Sequence, residues 1–312
     1  MVYDIAAEPD GTFSAEHGAG SLQVDEMRKY KGTLEVDDYK LSPIAEIMSE
    51  PAFHFHQGTV PLLISIPHLG TEIPGAIAAQ LQPHALEVPD TDWHLDRLYD
   101  FAQRMGASIL GAKYSRYVVD LNRPPTGESL YPGQTTTGLY PMETFRGERL
   151  YRNGLAPDTA EHAMRLQTYW QPYHAKLEAE IARLKSEFGS VLLWEAHSIA
   201  SVLPRLFEGK LPDLNLGTNS GASCGARVLD VVIATLGEQP YTWVANGRFK
   251  GGFITRSFGR PEQGVHAIQL EMCQSTYMNE SSPFAYRPDL ADRVRPVVER
   301  MVQAALDALR AG

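Results

Sequence analysis

The chain has 312 residues, with 28 Lys and Arg against 38 Asp and Glu, and its formal charge of −10 argues against a general nucleic-acid binder, which would need a basic face. Its apolar share of 43% leaves material for a sizeable core, in one large or two smaller domains. Cys224 and Cys273 form no CxxC pair and are too few for a disulfide scaffold, so a reducing, cytoplasmic setting is expected.

"MVYDIAAEPDG" shows no basic and then apolar leader, and no apolar run approaches the roughly 20 residues of a membrane span. Residues 1–50 are Gly-rich and charged and read as an N-terminal extension, with the main domain over 51–312. "PLLISI" (61–66) is a continuous apolar run, as for a strand buried on both faces, and it ends in Pro67-His68-Leu69-Gly70. "DTDWHLDRLYDFAQRMGA" spaces its apolar residues at helical intervals, with Asp90 or Asp92 placed to cap and Gly106 to stop. "SILGAK" and "RYVVDLN" read as two strands, and "PPTGESLYPGQTTT" (124–137) as a long surface loop. Residues 158–187 form the longest helical segment, divided or kinked at Pro172. "VLLWEAH" is a second apolar strand ending on a histidine. "GARVLDVVIATLG" follows as a helix, "YTWVAN" and "GVHAIQLEM" as strands, and "ADRVRPVVERMVQAALDALRAG" as a closing helix. Alternating strands and helices predict an α/β fold, a sheet covered by helices on both faces.

In such a sheet ligands bind at the carboxyl ends of the strands, which brings His68 and His197 forward together. Two imidazoles and one carboxylate make a catalytic zinc set with a fourth position left for water. Glu72, Asp90, Asp92 and Asp96 compete for the carboxylate, and spacing favours Asp92, at the start of a helix returning to the sheet mouth. Pro74 argues against a helical H-x-x-x-E pairing of His68 with Glu72. Glu271, at the end of "VHAIQLE", is either a surface strand end or a pocket base whose pKa apolar surroundings would raise. Arg116 and Arg123 flank "YVVDLN", and Arg248, Lys250, Arg256 and Arg260 lie among glycines that permit close approach to a ligand. In an acidic chain, guanidinium groups near sheet ends fit capture of a small acidic molecule.

"LLISIPHLG", "PDTDWHLDRLYDFA", "YSRYVVDLNRP", "TTTGLYP", "LLWEAHSI", "NLGTNSGASC", "NGRFKGGFITR" and "GVHAIQLEMCQSTYM" occur in this order from about Phe53 onward. Together they resemble the N-formylglutamate amidohydrolase (deformylase) family, which is similar in fold to the zinc carboxypeptidases and aspartoacylases, a three-layer mixed sheet between helices. The resemblance implies one zinc per chain on His68, Asp92 and His197. It departs from the wider group's H-x-x-E pattern, where Thr71 stands at the glutamate position. Asn122-Arg123 is similar to the substrate-carboxylate pair of the carboxypeptidases, and Glu271 to their general base. The implied reaction is hydrolysis of N-formyl-L-glutamate to formate and L-glutamate, a step of histidine degradation. Arg116 would assist the oxyanion, and Arg123 and Arg256, with Asn122 and Arg248 nearby, would hold the substrate carboxylates. The implied partner is a small anionic N-acyl amino acid, with no nucleic acid and no membrane.

Residues 1–48, through "GTFSAEHGAGSLQVDEMRKYKG", resemble the C-terminal tail of FAD-linked oxidases, without the part that would bind flavin. A remnant with no functional role for His17 is expected there. The alternatives are a deacylase of another N-acyl amino acid, a flavoprotein fragment, and a non-catalytic binder of acidic amino acids.

Overall fold

The computed structural model describes residues 51–130, 133 and 135–311; the expectations for residues 1–50 fall outside them. Seven strands form one mixed sheet: β1 (Phe53–His56), β2 (Leu62–Ile66), β3 (Ser108–Ala112), β4 (Val191–Ile199), β5 (Leu214–Gly217), β6 (Trp243–Ala245) and β7 (Val265–Cys273). Their order is β1-β3-β2-β4-β7-β5-β6. The centre from β3 through β2 and β4 to β7 is parallel, while β1 on β3 and β5 on β7 are antiparallel. The helices are α1 (Gly75–Ala78), α2 (Leu95–Leu98), α3 (Phe101–Arg104), α4 (Thr159–Arg165), α5 (Gln171–Phe188), α6 (Ala226–Ala234), α7 (Phe253–Phe258) and α8 (Pro288–Arg310).

Strand periodicity of two divides the core into layers. Leu62, Ile64 and Ile66 of β2 and Leu192, Trp194 and Ala196 of β4 join one cluster with Val228 and Val232 of α6 and the apolar stripe of α8. Leu63, Val191 and Leu193 turn the other way and pack with Tyr173, Leu177, Ile181 and Leu184 of α5. Each fully buried aliphatic side chain contributes about 1.5–3 kcal/mol, so the two clusters lock the sheet from both faces.

Three expectations from the sequence change here. "RYVVDLN" is a buried turn, not a strand. Tyr117, Val118 and Val119 are core, but the backbone closes locally through Val118 N–H to Ser115 O and Arg123 N–H to Asp120 O. The expected single helix after Asp90 is two short ones, α2 and α3, and neither aspartate caps them, because His94 occupies the cap with φ of 61° and both carboxylates turn inward. Edge strand β1 and the short β5 were not anticipated: "FHFH" is only half buried and "LNLG" is too short for a pattern. Pro172 does divide the long helix. It sits in the first turn of α5, after a π-helical turn over Leu166–Trp170 that separates α4 from α5.

Candidate active site

On β4 and β7 the face that begins with Val191, Leu193, Val265 and Ala267 continues with Glu195, His197, Gln269 and Glu271. These strands pair in parallel register, placing Glu195 opposite Gln269 and His197 opposite Glu271. One sheet face thus turns from core to chemistry at its carboxyl end, as expected for a ligand crevice. The polar end lies over the segments that carry His68, Asp92 and Arg116–Arg123.

His68, Asp92 and His197 come together, all buried, with their donor atoms within 4.8 Å of one another. Asp92 Oδ2 lies 3.0 Å from His197 Nδ1 and 3.6 Å from His68 Nδ1. The far side of each ring faces a carboxylate: His68 Nε2 lies 2.7 Å from Asp120 Oδ1, and His197 Nε2 lies 3.3 Å from Glu195 Oε2. Asp120 in turn accepts from Arg116 Nη2 at 2.6 Å. Of the other carboxylates weighed for this group, Glu72 is exposed beside Lys113 and Asp96 is exposed. Asp90 is occupied by the Tyr117 hydroxyl and the Phe145 N–H.

The donor set fits a divalent cation such as zinc: two imidazole nitrogens and one carboxylate oxygen converge, and outer carboxylates orient both rings. The electrostatics agree. Burial alone would raise Asp92, but its hydrogen bonds to His197 and His68 bring it down to about 2. Burial alone would lower His197, but Asp92 and Glu195 push it up to about 10. The protein therefore concentrates anionic charge here, and a proton held by it is one that a metal would displace.

Glu271 stands beside this group. Burial is the main cause that pushes its carboxyl up to about 7, with the Asp92 charge adding and His197, Arg116 and Arg123 opposing. Gln269 Nε2 donates to Glu271 Oε2 at 3.3 Å, while Gln269 Oε1 accepts from Gly252 N–H at 2.7 Å. Arg116 is buried, held protonated by Asp120, Asp92 and Asp90 against the pull of burial, and its Nε has no hydrogen-bond partner among the described residues.

A cavity of about 620 Å³ opens over these groups, lined also by Asn122, Arg123, Arg248 and Thr135–Thr137. Arg123 Nε donates to Thr137 O at 2.8 Å and Arg248 Nη2 to Thr135 O at 3.3 Å, so both cations border the same loop. Asn122 is fixed by Ile254 N–H, which donates to its Oδ1 at 2.9 Å, leaving Nδ2 3.0 Å from His197 Nε2. A Cβ on Gly252 would stand 2.3 Å from Asn122 Nδ2, so only glycine permits this approach.

Arg256 departs from the expectation: it does not line the cavity, and its guanidinium donates to the carbonyls of Gly251 and Leu130. Its place on α7 aims it at backbone. Asp120, Glu195 and Gln269 join the site beyond the residues that the sequence brings forward. Glu195 and Gln269 were within reach, since each stands two positions before a singled-out strand residue and so shares its face. Asp120 carried a weaker sign, four residues after Arg116.

Fold and site together define a mixed α/β enzyme whose buried carboxylate and His–Asp–His group sit at the sheet's carboxyl edge beneath a cationic cavity. The family model for N-formylglutamate amidohydrolase matches residues 60–278. An N-formylglutamate deformylase of Pseudomonas aeruginosa is 55% identical over 255 residues, 81% of this chain and 95% of that one. Its counterpart in Pseudomonas putida is 51% identical over 253 residues, 81% and 94% of the two chains. Among solved structures, an N-formylglutamate amidohydrolase from Ralstonia eutropha superposes with a TM-score of 0.70 at 25% identity, covering 84% of this chain and 100% of that one. A gene product of Agrobacterium tumefaciens shares the fold, with a TM-score of 0.63 at 18% identity over 83% of this chain and 96% of that one. The chain belongs to the N-formylglutamate amidohydrolase family and is an amidohydrolase.

Proposed function

We propose that this enzyme hydrolyses N-formyl-L-glutamate to formate and L-glutamate with one zinc per chain on His68, Asp92 and His197. The observation that carries the reading is the convergence of those three donors beside Glu271, inside a cavity that also holds Arg116, Arg123 and Arg248. Zinc at that position supplies Lewis-acid polarisation to the reacting oxygens.

Glu271, raised by burial towards neutrality, takes a proton from the attacking water as its oxygen forms the bond to the formyl carbon. The carbonyl electron pair moves onto its oxygen, where the Arg116 guanidinium opposes the developing charge. The C–N bond then breaks with its electron pair going to nitrogen. The oxyanion's electron pair re-forms the carbonyl as Glu271 passes its proton to that nitrogen, and the proton left on the acid goes to the amine, leaving formate and the ammonium of glutamate. Arg123 and Arg248 hold the two substrate carboxylates at the loop end of the cavity, a role in which Arg248 replaces the Arg256 expected from sequence. Asn122, locked against α7 and Gly252, positions the neighbouring Arg123. Buried free thiols at Cys224 and Cys273 accord with a cytoplasmic setting, and among the described residues no helix is long and apolar enough to cross a membrane.

The test is metal content of the purified chain, paired with formate release from N-formyl-L-glutamate before and after chelation. About one zinc per chain is expected, with formate release abolished by chelator and restored by zinc. Running N-acetyl- and N-succinyl-L-glutamate beside it separates a deformylase from a deacylase of other N-acyl amino acids. Tight zinc without release from any of them would leave only an acidic-amino-acid binder.

A further inference from the structure

A second cavity, of about 840 Å³, adjoins the first and is lined by Asp90, Thr144, Arg146, Leu203, Gln274 and Phe284 among others. Phe145 and Ile199 are the two residues common to both linings. The Phe145 ring lies 4.6 Å from the Arg116 guanidinium carbon, in cation–π contact. The loop-bound arginines Arg123 and Arg248 border the opposite part of the first cavity, next to Thr135–Thr137. If Arg116 faces the oxyanion, the ring beside it stands at the acyl end of the substrate.

The ring is held there from several sides. Its backbone N–H donates to Asp90 Oδ2 at 2.8 Å, and the same oxygen accepts from the Tyr117 hydroxyl at 2.7 Å. Thr144, one residue earlier, is closed into a turn by its N–H to Glu148 O and by Gly147 N–H to its own O, both at 2.9 Å. Gly147 has φ of +89°, a conformation that glycine takes without strain. Arg205 Nη1 also donates to Thr144 O at 3.1 Å. Both Phe145 and Ile199 are buried, and they pack in one small apolar cluster with Leu203 and Leu211.

We propose that Phe145, backed by Ile199, is the specificity wall of this enzyme: it closes the acyl end so that hydrogen, but no carbon substituent, fits on the reacting carbonyl. The space that a longer acyl chain would need exists behind the wall, as the second cavity. The inference rests on the deformylase reading above.

The experiment compares kcat/KM for N-formyl-, N-acetyl- and N-propionyl-L-glutamate in the zinc-loaded parent enzyme and in Phe145→Ala and Ile199→Ala. One carbon in an apolar pocket is worth about 10–200-fold in discrimination, so Phe145→Ala should raise the acetyl-to-formyl ratio at least tenfold. Ile199→Ala, which leaves the Phe145–Arg116 contact in place, should shift the ratio the same way by less. It decides the matter alone if Phe145→Ala does not fold. Ratios within twofold of the parent in the folded variants, alongside normal formate release by the parent, would overturn the wall and leave the deformylase reading standing. A parent enzyme that releases no formate would overturn that reading and the wall with it.

Discussion

On one face of β4 and β7 the side chains Leu192, Trp194, Ala196, Ile268, Leu270 and Met272 are apolar, with the polar Ser198 and His266 only at the outer ends. On the other, Val191, Leu193, Val265 and Ala267 give way to Glu195, His197, Gln269 and Glu271. The two faces share a backbone, so the difference is one of side chains alone. It shows that the carboxyl end of one face is the place where this fold gives up packing for chemistry. Its buried charges are tolerable there because they neutralise one another: Asp92 with His197, Asp120 with Arg116.

Substitutions on the two faces should therefore fail in different ways. The largest effect belongs to Glu271→Gln, which should retain zinc and lower kcat about 10²–10⁴-fold, measured by formate release in single-substrate kinetics. An unchanged kcat would remove Glu271 from the reaction. The same variant has a signature in stability. Glu271 is raised from an ordinary 4.5 to about 7, so its folded-state carboxyl favours the protonated form. Its ionisation costs the fold nothing below 4.5, progressively more as pH rises from 4.5 to 7, and a constant amount above. In chelator-treated protein, denaturant titration should show Glu271→Gln gaining on the parent by up to roughly 3 kcal/mol at pH 8 and by nothing at pH 4.

Trp194→Ala on the apolar face should do the reverse. Trp194 is fully buried, and its Nε1–H donates to the Tyr99 hydroxyl at 3.0 Å. Its loss should cost about 3–5 kcal/mol of stability in denaturant melts, while activity per folded molecule stays near that of the parent. A large fall in kcat of the folded fraction would show that the faces are less independent than their packing indicates.

The smallest effect tests the border between the two. Asp120→Asn keeps the volume but weakens the partner of His68 Nε2 and of Arg116. Zinc affinity should fall about 10–100-fold in competition with a chromogenic chelator, with little change in the far-UV spectrum. Undiminished affinity would make Asp120 a counter-ion for Arg116 only.

The sequence by itself determined the central strands and the polar residues near their carboxyl ends, because β2, β4 and β7 open on mostly apolar stretches, and the His68, His197 and Glu271 that follow them are local information. It also determined, through the strand period of two, that Glu195 and His197 share a face. Other features were decided only by the tertiary structure. "RYVVDLN" has the composition of a strand, yet its backbone turns locally and bonds to Leu139 and Phe253 rather than to a sheet neighbour, once Tyr117 and Val118 find the core and Asp120 finds both His68 and Arg116. Asp92 was one carboxylate among several until the chain between β2 and β3 folded back and its N–H reached the carbonyl of His68 at 3.0 Å. Arg256 and Arg248 are equally plausible in a glycine-rich segment, but only Arg248 reaches the cavity, since α7 turns Arg256 onto backbone carbonyls. Periodicity reports which side of an element a residue lies on. Which residues of different elements meet depends on how the connections close, and that is fixed by long-range packing and hydrogen bonding that no local window contains.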